Sequence, residues 1–286
     1  MYNIFNRVMH GRRSPRRIIG NQRGLTLIEL LVASVIGLIV VGSAFKLYLT
    51  QHQTWLIQDE VTDAQQAARA SVKMLSKHIR MAGYGLPSGI SAIEAADANP
   101  DTLMVINQAT ESWDVYLGKD MPLPSAELSC NGYDVSCFSD GGWAYIYDPV
   151  ADIGEYFLIS HVQPDAAHLQ HNTMPLSQKY PKGSKVIPIE ALRFFIDNSD
   201  SLHPMLMVEK IGQRPEPFAE DIENLQFRYV MQNADTLDIP NQASLVRQVL
   251  VTITARTSRT DLQFEDEYRH REFATQVQVR NLGYGG

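Results

Sequence analysis

The chain has 286 residues, of which 44% are hydrophobic and 20% are charged, with 18 Gly and 14 Pro. This composition excludes a collagen-like, low-complexity or fully disordered chain, and its two cysteines are too few for a disulfide framework. The net charge of −7 conceals a division, because residues 1–24 hold six arginines and no acid, and the rest holds 19 basic residues against 32 acidic ones. A basic leader therefore precedes an acidic body.

The segment of residues 25–45 is apolar on all sides and contains one ionisable residue, Glu29. As a helix, its 21 residues would span roughly 31 Å, about the thickness of the hydrocarbon core of a bilayer. The arginines before it predict that the N-terminus stays in the cytoplasm and that the chain after Lys46 lies beyond the membrane. A secretory signal peptide would have a shorter apolar region and a small-residue cleavage site after it, and no clear site of that kind follows here.

Gly24 stands between the basic leader and the apolar segment, and Glu29 is the fifth residue after it. This order resembles the class III signal of type IV pilins and pseudopilins, with Leu25 in place of the commoner Phe. The resemblance implies that a membrane aspartyl prepilin peptidase cuts after Gly24 and methylates the new amine of Leu25. It also implies that Glu29 pairs with the N-terminal amine of an adjacent subunit, since two costly charges in a membrane offset each other only when paired. The alternative is a plain membrane anchor in which Glu29 has no role.

A long helix is predicted from residue 25 to about residue 81, because the chain contains no Pro between Leu25 and Leu86. Beyond the membrane span, apolar residues recur every three or four positions, which predicts a helical stripe that packs on a sheet. The stripe consists of Ile57, Val61, Ala64, Ala68, Val72, Leu75 and Ile79. Gly83, Gly85 and Pro87 are typical of a helix end.

Lys46 occupies a position near the membrane exit where many pilins have a Pro, which leaves open whether the helix kinks. Gly37 and Gly42 are the weak points within the span. A coiled coil is the alternative to packing on a sheet, but the charged flanking positions that it requires are patchy here.

After Pro87 the pattern changes to short apolar or alternating runs separated by turn-rich stretches, which is typical of β-strands. The predicted strands are residues 102–107, 143–148, 155–161, 185–189, 192–197, 205–211, 225–231, 246–256 and 272–280. The predicted fold class is therefore α+β and type IV pilin-like, with one long N-terminal helix packed on an antiparallel sheet with long loops. The predicted divisions are a cleaved leader (1–24), the membrane half of the helix (25–46), its amphipathic half (47–86) and the body (87–286).

Three further segments carry a second resemblance. Residues 80–85, 219–229 and 246–256 are similar to segments of minor pilins of the PilW type, and the last two also resemble J-type pseudopilins of type II secretion systems. The length of the chain is large for a J-type pseudopilin and favours the PilW type.

Cys130 and Cys137 lie on the oxidising side of the membrane in this topology, which favours a disulfide over two free thiols. The short loop between them limits its stabilising effect to roughly 2–3 kcal/mol. A zinc site would need more Cys or His at close spacing.

Three histidines, His161, His168 and His171, lie in a loop-rich stretch, and surface positions are favoured over a metal site. Asp148, Asp152 and Glu155 are weak calcium candidates, although their spacing is not that of an EF-hand. Residues 265–267, Glu-Asp-Glu, are predicted to form a solvated turn.

The sequence contains no phosphate-binding glycine loop, nucleophile elbow or HExxH motif, so we predict no enzyme and no cofactor. The acidic body argues against general nucleic-acid binding, which depends on neutralising phosphates. A local basic patch is conceivable at Arg256 and Arg259 or at residues 269–271, but these arginines are interpreted as strand-end and turn charges.

The sequence as a whole predicts a minor pilin that resembles the PilW type and acts in a complex that primes or caps a type IV pilus. Its expected partners are the prepilin peptidase, other minor pilins, the major pilin and the pilus assembly platform. Its expected location is the inner membrane, with one span and a periplasmic body, and then the pilus at the cell surface. The alternatives are a J-type pseudopilin, a tip adhesin or DNA- or surface-binding module, and a single-pass enzyme.

Overall fold

The computed structural model of the chain describes residues 24–87, 90–261 and 268–282. The predicted leader up to Arg23 and the predicted turn at residues 265–267 therefore lie outside the described residues. The chain divides into two compact units, Met1–Thr54 and Trp55–Gly286.

One helix, α1 (Leu27–Met81), confirms the predicted long helix and begins two residues later than expected. It is α-helical through Gly37, Gly42 and Lys46. Within the first unit every described residue is exposed. The apolar side chains of this part of the helix therefore have no partner within their own unit.

Within the second unit, the predicted stripe of α1 faces the core. Ala64, Ala68, Leu75 and Ile79 are buried, and the other three stripe residues are half-buried. Ser71 is buried on the same face, where its hydroxyl donates to the carbonyl of Ala67 at 2.8 Å. Because this hydrogen bond satisfies the hydroxyl within the helix, the serine fits an otherwise apolar face.

The turn that ends α1 uses glycine for its backbone conformation. Gly83 has a φ of +77° and Gly85 a φ of +73°, a region that side chains with a Cβ rarely adopt. The N–H of Gly83 donates to the carbonyl of Ile106 at 2.9 Å. The end of the helix is therefore tied directly to the first long strand of the body.

Strands make up most of the body, and the structure places fifteen of them in the described residues. They are β1 (Ile93–Ala96), β2 (Thr102–Gln108), β3 (Val115–Tyr116), β4 (Leu128–Ser129), β5 (Trp143–Asp148), β6 (Ile153–Leu158), β7 (His161–Gln163), β8 (His168–Gln170), β9 (Lys185–Asp197), β10 (Met205–Lys210), β11 (Glu216–Glu220), β12 (Ile222–Met231), β13 (Thr236–Leu237), β14 (Val246–Arg256) and β15 (His270–Gln278). A short 3₁₀ helix, Ala243–Leu245, precedes β14.

The strands pair antiparallel in three sheets rather than in the one that the sequence suggested. An eight-stranded sheet has the order β1-β2-β9-β10-β11, with β3 and β5 also paired to β9 and with β6 paired to β5. A four-stranded sheet has the order β13-β12-β14-β15, and a three-stranded sheet has the order β4-β8-β7. The α+β fold class, with a long helix packed on antiparallel sheets, is confirmed.

The longest strand, β9, is shared by two hydrophobic clusters. Its C-terminal part pairs with β2 and β10 and supplies Leu192 and Phe194 to the cluster that includes the face of α1 and the strands β12, β14 and β15. Its N-terminal part pairs with β3 and β5 and supplies Val186 to a second cluster. Apart from Val186, the buried residues of the second cluster all come from residues 115–180.

Candidate functional site

The N-terminus of α1 contains a reciprocal side-chain cap. The carboxylate of Glu29 accepts hydrogen bonds from the Thr26 N–H at 2.9 Å and from the Thr26 hydroxyl at 2.8 Å. The Glu29 N–H in turn donates to the Thr26 hydroxyl oxygen at 3.3 Å. This is the capping-box arrangement, which satisfies backbone donors that the first turn of a helix leaves without partners.

Thr26 is a residue that the sequence interpretation missed. The signal was present, because Thr followed three positions later by Glu before an apolar run is the sequence pattern of a capping box. The structure therefore gives Glu29 a local partner within its own chain. Both donors of Thr26 reach the same carboxylate oxygen, Oε2, and in the described residues the other oxygen accepts no hydrogen bond.

The predicted cleavage position lies just before this cap. Gly24 and Leu25 precede the first helical residue, and Leu25 is 79% exposed. A Cβ built on Gly24 would meet no atom within 4 Å. The fold of the described chain thus does not require glycine at this position. Any requirement for glycine would come from another molecule that recognises this part of the chain.

The helix that follows is long and apolar enough to cross a membrane. An 18-residue window within α1 has a mean hydropathy of 2.4, and none of that window is buried by the protein itself. Its exposed side chains include Leu30, Leu31, Ile36 and Val40. Exposure of this much contiguous apolar surface is unfavourable in water, so the segment fits a bilayer or a packed array of similar helices.

The weak calcium candidates are not brought together as a metal site. The Asp148 carboxylate accepts hydrogen bonds from the N–H groups of Val150 and Ala151, whereas Asp152 accepts one from the Tyr147 hydroxyl. Glu155 accepts hydrogen bonds from elements farther along the chain. In the residues that the structure describes, no group of three His, Cys, Asp or Glu residues is arranged to hold a metal ion.

The three histidines lie in different environments, and the prediction that all three are on the surface was wrong for His171. His161 pairs with Asp140 at 2.9 Å and His168 pairs with Glu127 at 3.0 Å. His171 is only 2% exposed, and one of its ring nitrogens lies 2.8 Å from the carbonyl oxygen of Ala126. The ring therefore connects two segments of the second cluster.

The two cysteines are free in the structure. Cys130 is buried and Cys137 is half-buried. Burial raises the pKa of Cys130 to about 12, with a smaller effect from Cys137, and burial also raises the pKa of Cys137. Both shifts favour the protonated thiols in this form of the protein. The disulfide stays a prediction.

The arginines considered as a basic patch take part in contacts within the body. Arg256 donates to the carbonyl of Ser201 at 2.7 Å and lies over the ring of Tyr268. Arg259 pairs with Glu60 of α1. These contacts agree with the interpretation of the arginines as strand-end and turn charges.

Comparison with known proteins identifies one feature of the chain. A family model described as the prokaryotic N-terminal methylation motif matches residues 19–45. No curated protein matches the chain. The chain thus carries, before and within an apolar helix, the motif of prokaryotic type IV prepilin-like proteins, which marks a structural family and not an enzyme. Proteins with this motif are processed by prepilin peptidase and assemble with other pilins.

Proposed function

We propose that this chain is a minor pilin of the PilW type, cleaved between Gly24 and Leu25 and methylated on Leu25. It would join other minor pilins and the major pilin, at the assembly platform, in the complex that primes or caps a type IV pilus. The observation that carries the proposal is the methylation motif at residues 19–45, in which Glu29 is the one ionisable residue of the apolar span.

The proposed mechanism is the addition of a charged hydrogen-bond donor at Glu29. Before assembly, Thr26 supplies two donors to the carboxylate. Cleavage after Gly24 creates a charged amine at Leu25, and in a neighbouring subunit this amine is a stronger donor than a neutral hydroxyl. A subunit docked in register adds a charged donor at the carboxylate, whose Oε1 is not used by Thr26, whereas an unpaired subunit has only its own neutral cap. The energy difference favours one register over its neighbours.

The proposed location follows from the charge asymmetry of the chain. Six arginines precede the apolar span, and positive residues flanking a span remain in the cytoplasm. The body would then be periplasmic and would reach the cell surface when the subunit enters a pilus. The PilW assignment is supported by residues 80–85, 219–229 and 246–256, and by the length of the chain.

The test of maturation is the intact mass of the membrane protein expressed with and without a prepilin peptidase. We expect peptidase-dependent loss of residues 1–24 and a mass increment of one methyl group on Leu25. Glu29→Ala should retain membrane fractionation and lose co-purification with partner pilins. The matched control is Asp59→Ala, which removes an exposed carboxylate from the same helix outside the apolar span.

Two outcomes would overturn parts of the proposal. An uncut chain that begins at Met1 in the presence of an active peptidase would remove the pilin assignment and leave a membrane-anchored binding module. Cleavage followed by co-purification with secretion pseudopilins, and not with pilus components, would identify the J-type alternative.

A further inference from the structure

A cleft of about 670 Å³ opens beside the β5–β6 hairpin. Its described lining includes four tyrosines and two acidic residues, namely Tyr145, Tyr147, Asp152, Glu155, Tyr156 and Tyr180. Its volume lies within the range of small-ligand pockets. Aromatic rings and negatively charged groups are therefore available together in one cleft.

The two carboxylates of the cleft accept hydrogen bonds from neutral groups only. The Tyr147 hydroxyl donates to Asp152 at 2.7 Å, and the Tyr180 hydroxyl donates to Glu155 at 3.0 Å. The N–H of Ser177 also donates to Glu155, at 2.9 Å. Within the described residues, neither carboxylate forms an ion pair, and the lining contains no Lys, Arg or His. The cleft therefore has two negative charges and no described positive charge in its walls.

The aromatic rings add a second attraction for a positive group. Tyr145 and Tyr156 form an edge-to-face pair with ring centroids 4.8 Å apart. The Tyr156 hydroxyl donates to the carbonyl of Ser91 at 3.3 Å, which fixes its ring at the wall of the cleft. The face of an aromatic ring is electrostatically negative and attracts organic cations.

Tyr145 supplies a polar atom that the fold leaves without a partner. The residue is only 7% exposed, and in the described part of the chain its hydroxyl forms no hydrogen bond; the hydroxyl is not one of the fully buried atoms without a partner and so remains accessible. The hydroxyl lies against Gly154, where an added Cβ would clash with it and with the carbonyl oxygen of Ile146. Glycine at this position leaves the hydroxyl access to the cleft. Burial, with smaller effects from Tyr147 and Asp152, raises the pKa of Tyr145 to about 12, so the hydroxyl is neutral at physiological pH.

We propose that this cleft binds an organic cation, namely an ammonium or guanidinium group carried on an apolar stem. Asp152 and Glu155 supply the charge, the tyrosine rings enclose the stem, and the Tyr145 hydroxyl accepts a hydrogen bond from the cation. This inference does not depend on the proposed pilin function.

The geometry favours an organic cation over calcium. Calcium takes six to eight oxygen ligands in one shell. Asp148, the third weak calcium candidate, is occupied with the backbone of its own turn and is absent from the described lining. Rings that face a cation exclude the further oxygens that calcium would need, whereas they stabilise a weakly hydrated ammonium or guanidinium group.

The test uses the full-length protein in a deuterated non-ionic detergent and ligand-observed saturation-transfer NMR. The probes are tetramethylammonium, butylammonium and doubly capped lysine, with the neutral 3,3-dimethylbutanol as a shape-matched control and calcium chloride as a competitor. We expect saturable binding of the cations and none of the alcohol. Binding of capped lysine identifies a protein side chain as the source of the cation, whereas binding of butylammonium alone identifies a free amine, and both results support the cleft.

Two variants and one control locate the binding. Asp152→Asn removes a charge but keeps an acceptor for Tyr147, and Asn tolerates the φ of +55° at this position. We expect it to weaken binding about fivefold, and Tyr147→Leu to weaken it about threefold to tenfold. The control, Glu111→Gln, removes the same charge from an exposed residue outside this cleft and should change affinity less than twofold.

Three results would overturn the inference. They are binding of the alcohol as tight as that of tetramethylammonium, complete displacement of every cation by calcium, and failure of all cations to bind to a correctly folded protein. A protease digestion pattern equal to that of the unmodified chain establishes correct folding for each variant.

Discussion

Replacement of Leu75 by Ala tests whether α1 is held by its apolar face. Leu75 is completely buried within the first cluster. Removing three carbon atoms forfeits about 2.4 kcal/mol of burial. A residual cavity of about 65 Å³ adds about 1.6 kcal/mol. We therefore expect Leu75→Ala to lower the free energy of unfolding of the body by about 4 kcal/mol.

The assay is pulse proteolysis of the full chain in non-ionic detergent over a series of urea concentrations. With a urea dependence of about 2.7 kcal/mol per molar, the midpoint should fall by about 1.5 M. The control is Lys73→Ala, an exposed residue of the same helix, for which we expect a change below about 0.3 M. Equal midpoints for the two variants would refute packing of this helix face on the sheets.

Three further predictions concern single sites. Gly24→Val should block cleavage by prepilin peptidase and leave the urea midpoint unchanged, because a Cβ at this position meets no atom; a cleaved variant, detected by intact mass, would contradict it. Burial, with a smaller effect from Lys77, lowers the pKa of His78, so the unfolded chain binds the proton more readily; stability should fall as the pH drops below about 6.5, and His78→Phe should remove that component from the urea midpoints. Cys130 and Cys137 should resist alkylation in protein isolated from an oxidising compartment until a reductant is added, and immediate labelling of both thiols under denaturing conditions would show that no disulfide forms.

The sequence predicted the strands whose pattern is long and regular. The predictions for β5 and β14 agree with the structure to the residue, because each has a solid or alternating apolar run bounded by turn residues. The single strand β9 was predicted as two, since Glu190 and Ala191 interrupt its apolar pattern. In the structure these two residues continue the pairing with β2. Strands of two to five residues, such as β3, β4 and β13, were missed because they are too short to show a period.

The candidate site was predictable where its residues are close in sequence. Gly24, Leu25 and Glu29 were proposed from the resemblance of one short stretch to the class III signal, and Thr26 could have been found from the same stretch. Long-range partners left no such signal. The contact of His171 with Ala126 spans 45 residues, and Glu155 meets Ser177 across 22 residues. Prediction of those contacts requires the fold, which spacing along the chain does not provide.

The position of β2 beside β9 also explains the large size of the body. The chain leaves β2 at Gln108 and pairs opposite it again at Ile189 of β9. The intervening residues contribute almost all of the second cluster, both cysteines and most of the tyrosine cleft. In topological terms they form an excursion between two paired strands, since a tight turn from β2 into β9 would close that pair without them. The buried residues of the first cluster, which include the face of α1, all come from outside this segment. Substitutions within the segment can therefore change the cleft without removing a buried side chain from that cluster.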